Sequence, residues 1–198
     1  MNSTETTTLT RREQLKAQRR EQLLVAGARL IADRGFLGMR LDDLGAAVGI
    51  SGPAVYRHFP NKEALLVELL VGISQRLLDG GRAVVEQATS PEQALDAGLL
   101  DFHLDFALGE PELIRIQDRD LENLPESARR QVRRTQRQYV EVWVEVLREL
   151  HPDLPEPAAR VQAHATFGLI NSTPHSAPAT LATRARPILR QMARAALA

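Results

Sequence analysis

The sequence has no cysteine, few aromatic residues and no long apolar run, and each absence excludes a class of protein. None of its 198 residues is cysteine, which excludes a disulfide scaffold, a cysteine zinc site and a thiol nucleophile. Aromatic residues make up only 4%, and no segment alternates apolar and polar residues as a half-buried strand does. No apolar run approaches the roughly 18 residues of a membrane span, and the first ten residues do not resemble a signal peptide. These absences predict a soluble, cytoplasmic, helical protein.

The charges balance overall but are unevenly distributed along the chain. There are 25 basic and 25 acidic side chains, and only two of the basic ones are lysine. Residues 1–62 contain ten basic and six acidic side chains, a net charge of +4, so residues 63–198 carry −4. This asymmetry indicates that the first segment contacts nucleic acid, although an offset of four charges also arises by chance.

Helical periodicity fills most of the chain and predicts an all-α fold of about nine helices. Leu24, Ala28 and Ile31 recur at helical spacing in a first helix that we expect to end at Gly35. A later helix begins near residue 62 and is expected to fade at the glycine pair 80–81. We predict a disordered arm over residues 1–10, a three-helix DNA-binding domain over 11–62 and a helical domain for effector binding and dimerisation over 63–198.

Two short predicted helices joined by a glycine turn form a helix-turn-helix motif. L-D-D-L-G-A-A-V forms the first helix, Gly49 and Ile50 form the turn, and Ser51 is expected to cap the second helix, S-G-P-A-V-Y-R-H-F. In this motif the second helix enters the major groove of DNA, with its N-terminal residues nearest the base edges. Small residues at its start allow a close approach to DNA, and polar residues at its end can donate to phosphates.

Residues 24–70 resemble the DNA-binding segment of the TetR family of bacterial transcriptional regulators. The blocks A-A-V-G-I-S, Y-R-H-F and N-K-E-A-L-L occur in the family's order and spacing. The resemblance implies a homodimeric repressor that binds a palindromic operator and is released by a small-molecule effector held in the C-terminal domain. It also implies that nine residues contact DNA, namely Arg40, Ser51, Gly52, Pro53, Ala54, Tyr56, Arg57, His58 and Lys62.

The sequence departs from the family pattern at two of these positions. Arg40 stands where the family usually has threonine, and Gly52 stands where it often has lysine or arginine. Because residue 52 has no side chain to read a base, Arg57 becomes the best candidate for a bidentate contact to guanine. Four arginines of the first helix either touch DNA or form a solvated face, and the sequence leaves this open; they are Arg11, Arg12, Arg19 and Arg20.

The C-terminal half contains apolar and aromatic side chains that could line an effector pocket with a few polar anchors. Plain core packing is the competing interpretation for most of them. Arg119 either pairs with Asp118, Asp120 or Glu122 or anchors an anionic ligand. The segments R-I-Q-D-R-D-L-E-N-L-P, R-Q-Y-V-E-V-W and G-L-I-N-S-T-P-H-S resemble a TetR subgroup associated with fatty-acid or branched-chain acyl-CoA metabolism, which implies an acyl-CoA-like effector. The predicted pocket residues are Phe102, Phe106, Leu113, Ile116, Arg119, Tyr139, Trp143, Phe167 and Asn171.

Motifs for catalysis and metal binding are missing from the sequence. H-E-x-x-H, G-x-S-x-G and a glycine-rich phosphate loop do not occur. Asp101, His103 and Asp105 are spaced two apart, so on a helix they face in different directions and make a poor metal cluster. We therefore predict a regulator that is not an enzyme and uses no cofactor or metal. The alternative is a helical interaction protein whose helix-turn-helix no longer binds DNA.

Small residues are frequent in the last two predicted helices. Alanine and glycine let helices approach closely, as a four-helix dimer interface requires. The same residues could pack within one subunit. We favour the dimer because the family resemblance implies one.

Overall fold

The described part of the chain folds entirely into helices. The computed structural model describes residues 10–176 and 182–197, and no strand occurs within them. The nine predicted helices are all present in these ranges, which confirms the all-α fold class. The helices are α1 (Arg11–Gly38), α2 (Leu41–Val48), α3 (Gly52–Tyr56), α4 (Lys62–Gln87), α5 (Pro91–Gln93), α6 (Asp101–Gly109), α7 (Pro111–Asp120), α8 (Glu126–Leu150), α9 (Glu156–Asn171), α10 (Thr173–Ser176) and α11 (Ala182–Leu197).

Three features of this helical order differ from the pattern expected from sequence. A π-helical segment, Ala94–Leu100, joins α5 to α6 into one rod. The short helix α10 occupies part of a predicted loop. Helix α4 does not fade at the glycine pair but continues to Gln87. Within the described ranges no helix combines the length and apolar character needed to cross a bilayer.

The start of α1 is fixed by a capping box. The Thr10 hydroxyl accepts the N–H of Glu13 at 3.3 Å, and the Glu13 carboxylate accepts the N–H of Thr10 at 2.8 Å. This reciprocal pair satisfies two of the free N–H groups at a helix start. The predicted disordered arm is therefore wrong at Thr10, and residues 1–9 lie outside the described residues.

Two glycines with positive φ shape the N-terminal domain. Gly35 has a φ of 77° and breaks the path of α1, as predicted, before one more helical turn. Gly49 has a φ of 70° and a ψ of 35° and forms the tight turn between α2 and α3. Such backbone angles strain residues with a side chain but not glycine.

The caps of α3 and α4 differ in kind. Asn61 caps α4, since its side-chain oxygen accepts the N–H of Ala64 at 2.7 Å. Ser51 occupies the N-cap position of α3, but its side chain makes no capping bond, so that part of the prediction is wrong. Instead, the backbone carbonyl of Ser51 accepts the N–H of Ala54 at 2.9 Å.

Two apolar cores share α4. The first half of α4, including Leu65 and Leu70, packs with α1, α2, α3, α7 and the start of α8. The second half, from Leu78, packs with α6, α8, α9 and α11. Helix α4 therefore runs as one rod through both the helix-turn-helix and the helical body.

Candidate DNA-binding surface and effector site

Helix α3 is anchored by two buried residues and exposes the remainder of its surface. Val55 and Phe59 are fully buried against the first core. Between them, Tyr56 is 50% exposed and Arg57 is exposed. The predicted base-facing start of the helix, Ser51 to Ala54, is exposed or half-buried.

The exposed arginines beside α3 have no partner within the described residues. Neither Arg40 nor Arg57 forms an ion pair or a side-chain hydrogen bond there. By contrast, Arg34 is bound to Asp43 at 2.7 Å. Arg40 and Arg57 are therefore available to an external anion, which the predicted phosphate and base contacts require.

Lys62 is engaged inside the protein. Its ammonium group donates to the carbonyls of Phe36 at 3.0 Å and Leu37 at 3.1 Å, and it lies 4.8 Å from the centre of the Phe36 ring. The side chain thus holds the end of α1 against the start of α4. An ammonium has three donors, so a phosphate contact by the third remains a prediction.

The arginines of α1 fall into two groups. Arg20 donates to a Glu68 carboxylate oxygen and to the His58 carbonyl, each at 2.7 Å, and lies over the Phe59 ring. Arg19 donates to the Val48 carbonyl at 3.3 Å. These two brace the helix-turn-helix. Arg11 and Arg12 are exposed and make no such contact with a described residue.

His58, at the end of α3, has a pKa below its usual value. Burial lowers its pKa, and the positive charges of Arg20, Lys16 and Arg19 lower it further. A cationic neighbourhood disfavours the charged imidazolium. The histidine that the sequence predicts as a DNA contact therefore sits half-buried in a locally positive region.

The second site is an aromatic cluster in the helical body, centred on His103. The His103 ring centre lies 4.8 Å from that of Phe167, 5.8 Å from that of Tyr139 and 6.1 Å from that of Trp143. Its Nε2 is 3.1 Å from Asn171 Oδ1, and its Nδ1 is 3.3 Å from the Tyr139 hydroxyl. We call this group the His103 cluster; it comprises His103, Phe106, Tyr139, Trp143, Phe167 and Asn171.

The glycine pair of α4 receives two aromatic rings from the body. A Cβ at Gly80 would lie 2.3 Å from the Phe102 ring, and one at Gly81 would lie 2.5 Å from the Tyr139 ring. Only glycine leaves room for rings this close to a helix backbone. The burial of these rings offsets the weak helix propensity of glycine, which explains why α4 continues through the pair.

The π-helical segment leads directly into this cluster. Leu99, within Ala94–Leu100, lies within 3.5 Å of the Cβ position at Gly81. A π-helical turn contains one more residue than an α-helical turn, and such turns frequently occur at functional sites. The segment sets the direction from which α6 brings Phe102 and His103 against α4.

Three predicted pocket residues lie apart from the His103 cluster. Leu113 and Ile116 are buried in the first core. Arg119 bonds to Asp120 at 3.0 Å and donates to the carbonyls of Ile31 and Ala32. Of the two interpretations that the sequence leaves open for Arg119, the pairing with an acidic neighbour is the one present in the structure.

The acidic neighbours of His103 face the other way. Asp101 pairs with Arg190 at 2.9 Å, and Asp105 pairs with Arg186 on the outer side of α6. Among the described residues no group of three or more potential ligands could hold a metal ion. The sequence analysis did not predict that His103 lies at the centre of the aromatic cluster. The available signal is its helical spacing, because His103 follows Leu99 by four residues and precedes Phe106 by three, which places it on the apolar face of α6.

The last two long helices present an apolar face to solvent. Ala159, Ala163 and Ala193 are buried between elements of the same subunit. Val161 on α9 and Ile188 and Met192 on α11 are at least half exposed. These three alanines therefore pack within the subunit, whereas the other small residues of the two helices are exposed beside the larger apolar side chains; they are Ala158, Ala165, Gly168, Ala195 and Ala196.

This architecture is that of a helix-turn-helix unit joined by one long helix to a separate helical body. A family model described as bacterial regulatory proteins of the tetR family matches residues 23–69, and a tetracyclin repressor-like C-terminal domain model matches residues 88–175. Together they cover more than half of the chain. The chain belongs to the TetR family of bacterial transcriptional regulators.

Individual relatives are more distant. The chain is 32% identical to the transcriptional activator FasR of Mycolicibacterium smegmatis over 43% of this chain and 39% of FasR. It is 27% identical to the transcriptional repressor KstR2 of the same organism over 67% of this chain and 65% of KstR2. The match thus spans less than two thirds of either relative.

A solved structure shares the fold over nearly the whole chain. It is that of the regulator FadR from Bacillus subtilis in complex with stearoyl-CoA. The TM-score is 0.64 at 17% identity, covering 89% of this chain and 95% of FadR.

Proposed function

We propose that this protein is a ligand-responsive repressor that binds a palindromic DNA operator as a homodimer and is released by a small-molecule effector. The main support for this proposal is that Tyr56 and Arg57 are exposed at the end of α3. In addition, α4 connects the helix-turn-helix to the His103 cluster. We propose no catalytic role, because the polar residues brought together are engaged with one another. Binding to chromosomal DNA would place the protein in the cytoplasm.

DNA recognition is assigned to α3 and its flanks. Ser51, Gly52, Pro53 and Ala54 would approach the base edges in the major groove. Arg57 would read guanine, since its guanidinium is exposed and has no partner within the described residues. Tyr56, His58, Lys62 and Arg40 would contact phosphates at the edges of the footprint.

Dimerisation is assigned to α9 and α11. A palindromic operator requires two recognition helices related by a two-fold axis. The exposed side chains of Val161, Ile188 and Met192 supply apolar surface on these two helices, and two helices from each subunit could pack as a four-helix bundle.

The effector is proposed to occupy the His103 cluster together with Phe102. The rings there rest directly on the glycine pair of α4, so a ligand that displaces them must also displace that helix. An acyl-CoA is our candidate because the fold is shared with FadR, whose structure contains stearoyl-CoA. The aromatic side chains suit an acyl chain.

The proposal is tested by a mobility-shift assay with the DNA upstream of the protein's own gene. Retardation should weaken steeply as salt rises, because binding to phosphates releases counterions. Arg57→Ala should weaken specific binding by about 1–3 kcal/mol and relax the preference for one base pair. Arg82→Ala, which removes an exposed arginine from the second half of α4, is the matched control and should leave binding unchanged.

Two outcomes contradict parts of this proposal. An Arg57→Ala variant that keeps its base preference would show that another residue reads the operator. No retardation at any salt concentration would instead favour an interaction protein whose helix-turn-helix no longer binds DNA.

A further inference from the structure

A cleft of about 410 Å³ lies where α1, α4 and the junction of α6 with α7 meet. Its floor consists of buried side chains of the first apolar core, namely Ala28, Leu69, Ile73 and Leu113. Val25, which also lines the cleft, is 45% exposed, so apolar surface there remains uncovered. Clefts of this size with an apolar floor are typical of small-molecule sites. The cleft is separate from the His103 cluster, since none of that cluster's residues lines it.

The charged side chains around this cleft are mostly carboxylates. Four glutamates and two arginines line it. Two of the glutamates already have an arginine partner, because Glu110 pairs with Arg76 at 2.6 Å and Glu68 accepts from Arg20 at 2.7 Å. These two pairs leave little net charge at their positions.

Three charged side chains of the cleft have no such partner. Glu21 and Arg29 on α1 and Glu112 at the start of α7 form no ion pair or side-chain hydrogen bond with a described residue. Two carboxylates therefore stand against one guanidinium. The C-terminal end of α6 and the N-terminal end of α7 meet here, so the opposite signs of their helix dipoles offset each other. The excess of carboxylates thus favours a cation over an anion.

We infer that this cleft binds a small organic cation with an apolar body, whose charge is balanced by Glu21 and Glu112 and whose apolar part covers the floor. An ammonium group donates charge-assisted hydrogen bonds to carboxylates. The inference goes beyond the proposed function, because it requires neither an operator nor a ligand in the His103 cluster. An occupant of the cleft would contact α1 of the helix-turn-helix unit and α4 and α7 at the same time.

The charge preference is tested by calorimetric titration of the full-length protein with octylamine, which is a cation at neutral pH. The double variant Glu21→Gln/Glu112→Gln should bind octylamine about tenfold more weakly, because both unpaired carboxylates are lost. The matched control is Glu145→Gln/Glu149→Gln, which removes two exposed carboxylates from α8. It should leave the affinity unchanged. The uncharged 1-octanol should bind the natural protein and both double variants equally.

Three results of this titration overturn the inference. One is that octylamine does not bind to the natural protein. Another is that its affinity is unchanged in Glu21→Gln/Glu112→Gln, or falls equally in the control. The third is an equal loss of 1-octanol binding, which would show a distorted cleft rather than a missing charge.

The location of the ligand is tested by filling the cleft. Gly72 lines it, and a Cβ at this position meets nothing within 4 Å. Gly72→Leu should therefore fold and occupy part of the cleft, which should weaken octylamine binding at least about tenfold. Circular dichroism checks the fold. An unchanged affinity in folded Gly72→Leu would place the ligand elsewhere and overturn the inference. If this variant does not fold, the double glutamate variant decides.

Discussion

A single buried carboxylate joins the helical body to the end of α1, and its removal should lower stability measurably. Asp120 on α7 is 4% exposed, and its Oδ1 accepts the backbone N–H of Phe36 at 3.2 Å. Its Oδ2 accepts from Arg119, which itself donates to the Ala32 carbonyl at 3.2 Å. The carboxylate thus holds both the last turn of α1 and the arginine that binds the preceding turn.

The magnitude follows from these contacts. A buried hydrogen bond to a charged group stabilises a protein by about 1.5–3 kcal/mol. The Arg119 side chain is 45% exposed, so solvent screening limits the ion pair to at most about 1 kcal/mol. We therefore expect Asp120→Ala to lower the free energy of unfolding by about 2–3 kcal/mol. For a protein of this size that corresponds to a decrease in Tm of roughly 5–10 °C.

Urea and thermal unfolding monitored by circular dichroism measure this effect. Asp118→Ala is the matched control, because this carboxylate lies on the same helix, its side chain is 56% exposed and its ion-pair partner is the exposed His175. It should change stability by less than about 0.5 kcal/mol. Equal losses in the two variants would refute the reasoning, since they would show that the Phe36 contact contributes nothing.

Three further predictions concern α4, pH and assembly. Gly81→Ala should lower the free energy of unfolding by about 1–3 kcal/mol in urea titrations, because its Cβ would lie 2.5 Å from the Tyr139 ring of α8. The control is Gly72→Ala, whose Cβ meets nothing within 4 Å. It should raise the free energy of unfolding by up to about 1 kcal/mol. The pKa of His103 is about 4 when folded and 6.5 when unfolded, so stability should be lost as pH falls from about 6.5 towards 4, by about 3 kcal/mol, and His103→Gln should flatten this pH profile. Ile188→Glu should shift sedimentation towards a folded monomer, while Leu15→Glu, at a similarly exposed position, should leave the dimer intact.

The helix-turn-helix could be predicted in detail because its signals are local. Gly49 provides the left-handed turn, and Asn61 caps the helix that begins one residue later. Val55 and Phe59 are four residues apart, so the side of α3 that faces the core follows from spacing alone. The opposite side, which carries Tyr56 and Arg57, is thereby fixed as the exposed one.

The contacts of long charged side chains could not be predicted in the same way. Lys62 and Arg119 both bind carbonyls near the end of α1, which are 26 and 87 residues away in sequence. Nothing in a local pattern specifies such partners, because they exist only once the helices have packed. The same holds for Gly80 and Gly81, since the rings that cover them come from α6 and α8.

The backbone of Phe36 connects the helix-turn-helix unit to both α4 and α7. The positive φ of Gly35 turns Phe36 out of the helical path, so that its N–H is bound by Asp120 of α7 and its carbonyl by Lys62 of α4. Helices α4 and α7 therefore hold opposite sides of the same short segment of α1. The other half of α4 carries the glycine pair on which the rings of the proposed effector site rest. If a ligand displaced those rings, we would expect α4 to move relative to α7 and the Phe36 segment to move with one of them, which would shift α1 and the α2 helix packed against it.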